Sequence, residues 1–451
     1  MESGCDSGWS WVVLTCVLLS QVAMGGICLT GGVMYVIIER QFGENPVGNF
    51  WLCAMPFTMW FLSPPLGSFL TNRYGYRVCG LVGTCAASLG LMLSFFVKHR
   101  DPLFATYGFL TGFGLGIHYT SGYAALNDYF DKYKVLATGI ASIGNNVGLV
   151  AFSKLISVFD RRFSFSGTML ILGGLMLNLC PLSIAFIPRR CTQKVNEIKG
   201  LDDKKCINIF LLKNLSFVSW IIANFFTNIS LSIYFLQLPA YSIQTGFTEE
   251  NFSILWLSYG VSNIVGKVVF SALAQSPRVN TIVLYTVCLA TSGLVIGLTP
   301  VLLTQTGVLV LTGCVGFFSC VTGALIAAVT FEIVGFENFA DGMGLVMPFK
   351  SFGNLIGGPL GGLLLSSTGT YSVSFYTAGS SMLLASLFVL YPELNKRFGL
   401  DTYRSKRKLK SELRVEKNTV AANTCETEAL TQRVINIDIK SRKCIDECIN
   451  E

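Results

Sequence analysis

Roughly twelve apolar stretches, each close to the ~20 residues that a helix needs to cross a bilayer, follow one another between Ser10 and Tyr391 and leave little chain for anything else. Inside lipid a helix satisfies its backbone N–H and C=O groups within its own segment. The sequence therefore predicts an all-α membrane protein. The runs fall at 10–38, 50–71, 78–97, 103–127, 135–158, 166–187, 213–243, 251–275, 279–299, 303–331, 341–366 and 370–391. With 52% hydrophobic and 13% charged residues, the molecule is its membrane body, and the lipid bilayer is its first partner.

The first run is too long for a cleaved leader and has no basic stretch before it, so it is expected to stay as span one. An even number of spans puts both termini on one side. Arg73, Arg77, Lys132, Lys134, the group from Arg189 to Lys205, Arg278 and the basic tail occupy alternate connections, which the positive-inside bias makes cytoplasmic. The polar connection from Pro188 to Leu211 divides the spans six and six. The expected organisation is an N-terminal six-helix bundle at 1–187, a cytoplasmic linker at 188–212, a C-terminal six-helix bundle at 213–391 and a disordered cytoplasmic tail at 392–451. Gly144-Asn145-Asn146-Val147-Gly148 in the fifth run returns as Gly353-Asn354-Leu355-Ile356-Gly357 in the eleventh, the corresponding place in the other half. Such an echo suits a duplicated transporter; chance recurrence in a chain with 45 glycines is the alternative.

Most of the 15 cysteines sit inside apolar runs, where they act as small hydrophobes, and no structural disulfide is expected. Two histidines and no cluster with metal spacing argue against a metal centre. No nucleophile–base pair stands out, so the chain is not expected to be an enzyme or to hold a cofactor. The basic stretch from Lys396 to Lys410 suits anionic lipid, and no nucleic-acid partner is expected.

Three segments carry a family likeness. Residues Gly67-Ser68-Phe69-Leu70-Thr71-Asn72-Arg73-Tyr74-Gly75-Tyr76-Arg77 resemble the G-x-L-x-D-R-x-G-x-R signature of major facilitator proteins, with Asn72 in the place of the aspartate. Asp6-Ser7-Gly8-Trp9-Ser10-Trp11-Val12-Val13 resembles the D-G-G-W-G-W-V-V start of span one in monocarboxylate transporters, and Tyr129 to Ala141 resembles their Y-F-x-K-R-R-x-L-A-x-G-x-A signature opening span five. The chain is thus similar to the monocarboxylate transporter family, within the major facilitator superfamily, from Asp6 to about Tyr391. The resemblance implies twelve transmembrane helices in two six-helix bundles, working by alternating access at the plasma membrane. It implies secondary active or facilitative transport of a monocarboxylate or related small organic solute, with a proton as the coupling ion where the transport is a symport, and an accessory single-span glycoprotein as some relatives need. Asp6, Trp9, Arg73, Arg77, Lys132 and Lys134 are its gating or signature positions. Read physically, Trp9 and Trp11 suit the membrane interface, while the arginines suit a latch on a helix end.

Charges within spans are costly, about 2.5–3.5 kcal/mol each on insertion scales, so they mark function. Lys267 lies deep in span eight with Asn263 four residues before it on one helix face. By the resemblance, Lys267 takes the position of a basic residue, usually arginine, that contacts the substrate carboxylate, and Asn263 that of an aspartate in several members. Without an ionic partner, Lys267 is expected to take up a proton as a carboxylate binds, coupling the two. Lys350 in span eleven is the second deep cation. His118 in span four suits a proton relay, and Tyr119, with Phe57, Phe61, Phe349 and Phe352, suits the wall of a roomy pocket. Leu29 falls where lactate-carrying members have a lysine, which turns the expectation toward larger organic solutes. A solute sensor or partner-assembly protein without net transport is the competing class.

Overall fold

A backbone surrounded by lipid must pair its own polar groups, and among the described residues every apolar run is helical. The computed structural model describes residues 8–43, 45–130, 133–186, 209–248, 252–276, 278–302, 304–335 and 338–397. Asp6, Lys132, most of the linker and residues 398–451 of the tail lie outside the described residues.

Span one is built from α1 (Gly8–Cys28) and α2 (Gly31–Phe42), span two from α3 (Pro46–Leu62) and α4 (Pro64–Tyr74), and span three from α5 (Tyr76–Leu93). A π-helical stretch, Phe104–Thr111, leads into α6 (Gly112–Tyr129), and α7 (Lys134–Leu177) carries spans five and six. Then come α8 (Leu215–Gln244), α9 (Phe252–Ala274) and α10 (Thr281–Leu298). Span ten comprises α11 (Gln305–Ser319) and α12 (Ile326–Val334), followed by α13 (Phe339–Thr368) and α14 (Tyr371–Arg397).

Eight helical stretches among the described residues are long and apolar enough to cross a membrane. One of them, Ala137–Ile184, has 48 residues. As a continuous helix it would reach about 70 Å, more than twice the apolar thickness of a bilayer. Ser164, at φ 58° and ψ 177°, breaks it into two spans. The second run does not qualify as one helix because the chain is interrupted at Ser63 ahead of Pro64 and Pro65. The eleventh carries Lys350, Asn354 and two prolines.

The helices as far as Pro392 belong to one packed unit. Glycines set the closest crossings. Side chains at Gly144 and Gly148 of α7 would strike the carbonyls of Leu18 and Val22 on α1, and side chains at Gly353 and Gly357 of α13 would strike those of Phe225 and Ile229 on α8. The repeated sequence thus makes the same contact twice, span five on span one and span eleven on span seven. In the expected linker, Ile209–Lys213 forms a 3-10 turn. Residues 392–397 of the expected tail continue α14 through Pro392.

Candidate functional site

Span one breaks at Leu29 and Thr30, where the Thr30 hydroxyl turns back to donate to the Gly26 carbonyl at 2.6 Å. The break opens a cavity of about 50 Å³ between spans one, two, seven and eleven. Leu29, Phe57, Leu231, Phe235 and Leu236 line it, with Ser232 and Asn354 as its polar members. Both polar groups are already committed. Asn354 donates to the Ala54 carbonyl at 3.0 Å and to the Thr58 hydroxyl at 2.8 Å, and Ser232 donates to the Asn354 carbonyl at 3.1 Å. These bonds tie span eleven to span two on one side and to span seven on the other.

Lys350 stands one helical turn before Asn354 and is 9% exposed. Its Nζ lies 5.2 Å from the centre of the Phe61 ring, on span two. Phe61 in turn packs against Phe57 of the cavity wall, ring centres 5.0 Å apart, as residues four apart on a helix do. Among the described residues no carboxylate pairs with Lys350; Glu332 and Asp341, the acids nearest in sequence, are not its partners. A cation held by an aromatic face alone, at the seam between spans of the two sequence halves, is where an anionic ligand gains most. The rings continue through Trp60, which stacks on Phe61 at 5.0 Å and meets Tyr119 edge-on at 5.6 Å, and end on Tyr123, 4.6 Å beyond Tyr119. The Trp60 indole N–H is buried and has no acceptor among the described residues.

Lys267 meets a different neighbourhood. It is half-buried on α9, and its stem passes the interrupted middle of span ten: a methyl group added at Gly323 would lie 3.9 Å from Cε. Asn263, one turn earlier, points its amide elsewhere. Its Nδ2 donates to the Gly316 carbonyl at 3.0 Å, and its Oδ1 accepts from Asn146 Nδ2 at 3.1 Å. Asn263 therefore bonds span eight to span five, a second polar joint between the sequence halves.

His118 and Tyr119 are adjacent yet face apart. The buried His118 Nδ1 sits 2.9 Å from the Thr84 hydroxyl, 3.2 Å from the Gly80 carbonyl and 3.4 Å from the Ser183 hydroxyl, a polar cluster between spans three, four and six. None of these groups lines the cavity. Tyr119 alone of the two joins the aromatic series leading to Lys350. In the signature turn, Gly75 has φ 84°, the exposed Arg73 guanidinium lies 5.6 Å from the Tyr74 ring, and Arg77 is half-buried. Tyr76 fastens this turn to the end of span four by donating to Asp128 at 3.0 Å. Trp9 is exposed in the first turn of α1, and Lys134 begins α7.

Sequence reasoning did not single out Trp60, Thr58 or Asn146 as site or joint residues. The repeated Gly-Asn segment was the available signal for the two asparagines, since each half presents from it an amide that crosses to the other half.

A family model described as Major Facilitator Superfamily matches residues 13–315, more than half of the chain. Monocarboxylate transporter 12-B of Danio rerio is 27% identical over 425 residues, covering 85% of this chain and 87% of that protein. Monocarboxylate transporter 12 of Homo sapiens is 26% identical, covering 87% and 82%. Monocarboxylate transporter 3 of Rattus norvegicus is 28% identical, covering 85% and 80%.

Proposed function

The chain belongs to the major facilitator superfamily and is a multi-pass membrane transporter, and on that footing we propose that it moves a monocarboxylate or related small organic solute by alternating access. Two six-helix bundles, residues 1–187 and 213–391, rock about a central site, joined by the linker at 188–212 and followed by a cytoplasmic tail. The observation that carries this reading is Lys350, buried without an acidic partner among the described residues and one helical turn from a cavity lined by spans from both sequence halves. A buried cation lacking a counter-ion is costly in the empty protein and is relieved by an arriving carboxylate. The curated relatives, named as monocarboxylate transporters, support the same solute class. Lys267, beside the interrupted span ten, is the proposed proton carrier, which makes the transport a symport. Asn263 holds the bundles in register at the same level, and His118 and Tyr119 shape the interior of the first bundle. Asp6, Trp9, Arg73, Arg77, Lys132 and Lys134 steady the membrane-edge turns. The carrier works at the plasma membrane with both termini cytoplasmic, and an accessory single-span glycoprotein serves as its escort.

The test is uptake of labelled lactate, pyruvate, aromatic amino acids, creatine and carnitine into cells expressing the wild type, Lys350→Ala or Lys267→Ala, at two external pH values. Saturable uptake of a carboxylate that Lys350→Ala removes, and whose acid stimulation Lys267→Ala removes, is the expected result. Wild-type surface expression with no uptake of any of these, nor of a wider solute set, would sink the transport reading.

A further inference from the structure

We propose that one acyl chain of a phospholipid lodges in the groove between spans five and eight, with the lipid phosphate on Lys154. The site shares no lining residue with the cavity at the break in span one, and it takes only its leaflet, the outer one, from the topology proposed above. Val147 and Ala151 of α7 face Leu257 and Val261 of α9 across an open groove of about 250 Å³, floored by Gly260 and Asn146. Val147, Leu257 and Val261 remain about half exposed at its rim. Asn146 supplies the polar group of the lining, and its Nδ2 already donates to Asn263 at 3.1 Å.

The dimensions select the occupant. Along α9 the groove runs from Leu257 to Ile264, about 10 Å of helix. Its volume over that length leaves a cross-section of about 25 Å². A helix about 10 Å across needs roughly three times that, so a span of a partner protein does not enter. A single hydrocarbon chain does: about eight methylenes, each close to the ~30 Å³ share of a water molecule in the liquid, fill the volume. At about 1.25 Å per C–C bond they also cover about 10 Å. Within a bilayer the gain is not escape from water; it is dispersion contact with walls that a chain passing outside the groove does not touch.

Lys154 orients the lipid. It is exposed on α7, three residues beyond Ala151. From Lys134 at the start of α7 to Lys154 the helix climbs about 30 Å, the apolar thickness of a bilayer. The ammonium therefore stands at headgroup level, where a phosphate gives it a charge-assisted partner, and Ala151 and Val147 lie about 5 and 10 Å deeper, at acyl-chain depth. A chain in this place lies against the Asn146–Asn263 bond and keeps water from the joint between the halves.

The experiment places the purified full-length carrier in phosphatidylcholine nanodiscs with a trace of phosphatidylcholine bearing a diazirine midway along one acyl chain, and maps the photoadducts by mass spectrometry. Adducts should be about tenfold denser at Val147, Ala151, Leu257 and Val261 than at Leu294 and Val310, exposed residues toward the same membrane surface. A methyl group at Gly260 would meet Val150 and Asn146 at 3.4 and 3.6 Å, ordinary contacts, so Gly260→Leu should fill the groove and cut the labelling about fivefold. Ala151→Leu should do the same from the exposed rim without disturbing the floor. Lys154→Gln should lower labelling by the phospholipid and leave that by the matching diacylglycerol, which has no phosphate, unchanged. Labelling spread evenly over all these positions, or untouched by both groove-filling variants, would mean ordinary boundary lipid and overturn the proposal. Cholesterol that displaces the probe, with no effect of Lys154→Gln, would give the groove to a sterol and overturn it equally. Labelling is read without flux, so its failure leaves the transport reading standing, and a failure of uptake leaves the lipid site standing.

Discussion

Replacing Lys350 by methionine should stabilise the empty carrier while removing its affinity for carboxylates. The side chains are alike in length, so the exchange alters charge with little change in packing. Insertion scales charge a lysine at the centre of a span about 2.5–3.5 kcal/mol, whereas an apolar residue there costs almost nothing. The face of Phe61, 5.2 Å from Nζ, returns about 0.5–2 kcal/mol of that. No acid compensates the rest, because among the described residues Lys350 has no carboxylate partner. The balance favours methionine by about 0.5–3 kcal/mol, which should raise the apparent melting temperature by a few degrees. Purified wild type and Lys350→Met would be heated in parallel and the folded fraction read by size-exclusion fluorescence, with and without a bound carboxylate. The ligand should stabilise the wild type and leave the variant unmoved. A variant that melts below the wild type would mean that the lysine is held by a partner, and the case for an anion site built on its lack of one would collapse.

Two further outcomes follow from the joints between spans. In a double-mutant cycle of Asn146→Leu and Asn263→Leu, thermal unfolding should give a coupling of about 0.6–1.7 kcal/mol, the range for hydrogen bonds between membrane helices; strictly additive losses would dissolve the joint. His118→Gln should cost about 1 kcal/mol of stability through its cluster with Thr84 and Ser183 and leave the pH profile of uptake unchanged. A shifted profile would restore His118 as a proton relay.

The membrane character was legible in the sequence because a span needs only length and apolarity, and each of the twelve runs is helical among the described residues. The interruptions at Leu29–Thr30, at Cys320 and at Leu325 were not legible. A glycine or threonine that breaks a span looks, in sequence, like one that packs a neighbour closely, and Gly25, Gly26, Gly31 and Gly32 do pack closely on both sides of the first break. Lys350 could be recognised as a deep cation, but its seat on Phe61 depends on a residue 289 positions earlier that no local pattern links to it. Asn263 and Lys267 share a helix face by spacing, yet the amide is drawn to Asn146 and Gly316 and the lysine to span ten. Spacing fixes which residues can cooperate; the neighbours presented by other spans decide which of them do.

The amide pair of Asn146 and Asn263 has an electrical consequence. Moving one elementary charge through the membrane field exchanges about 2.3 kcal/mol per 100 mV, and a neutral joint exchanges none. Voltage therefore passes over this joint and acts on the carrier through its ionised side chains and its cargo. A lysine that changes sides with an anion beside it forms an uncharged package, whereas the same lysine returning empty and protonated is a displaced positive charge. The pairing of Lys350 with its cargo then escapes the resting potential, and a proton on Lys267 is the charge through which the potential acts on the loaded half of the cycle.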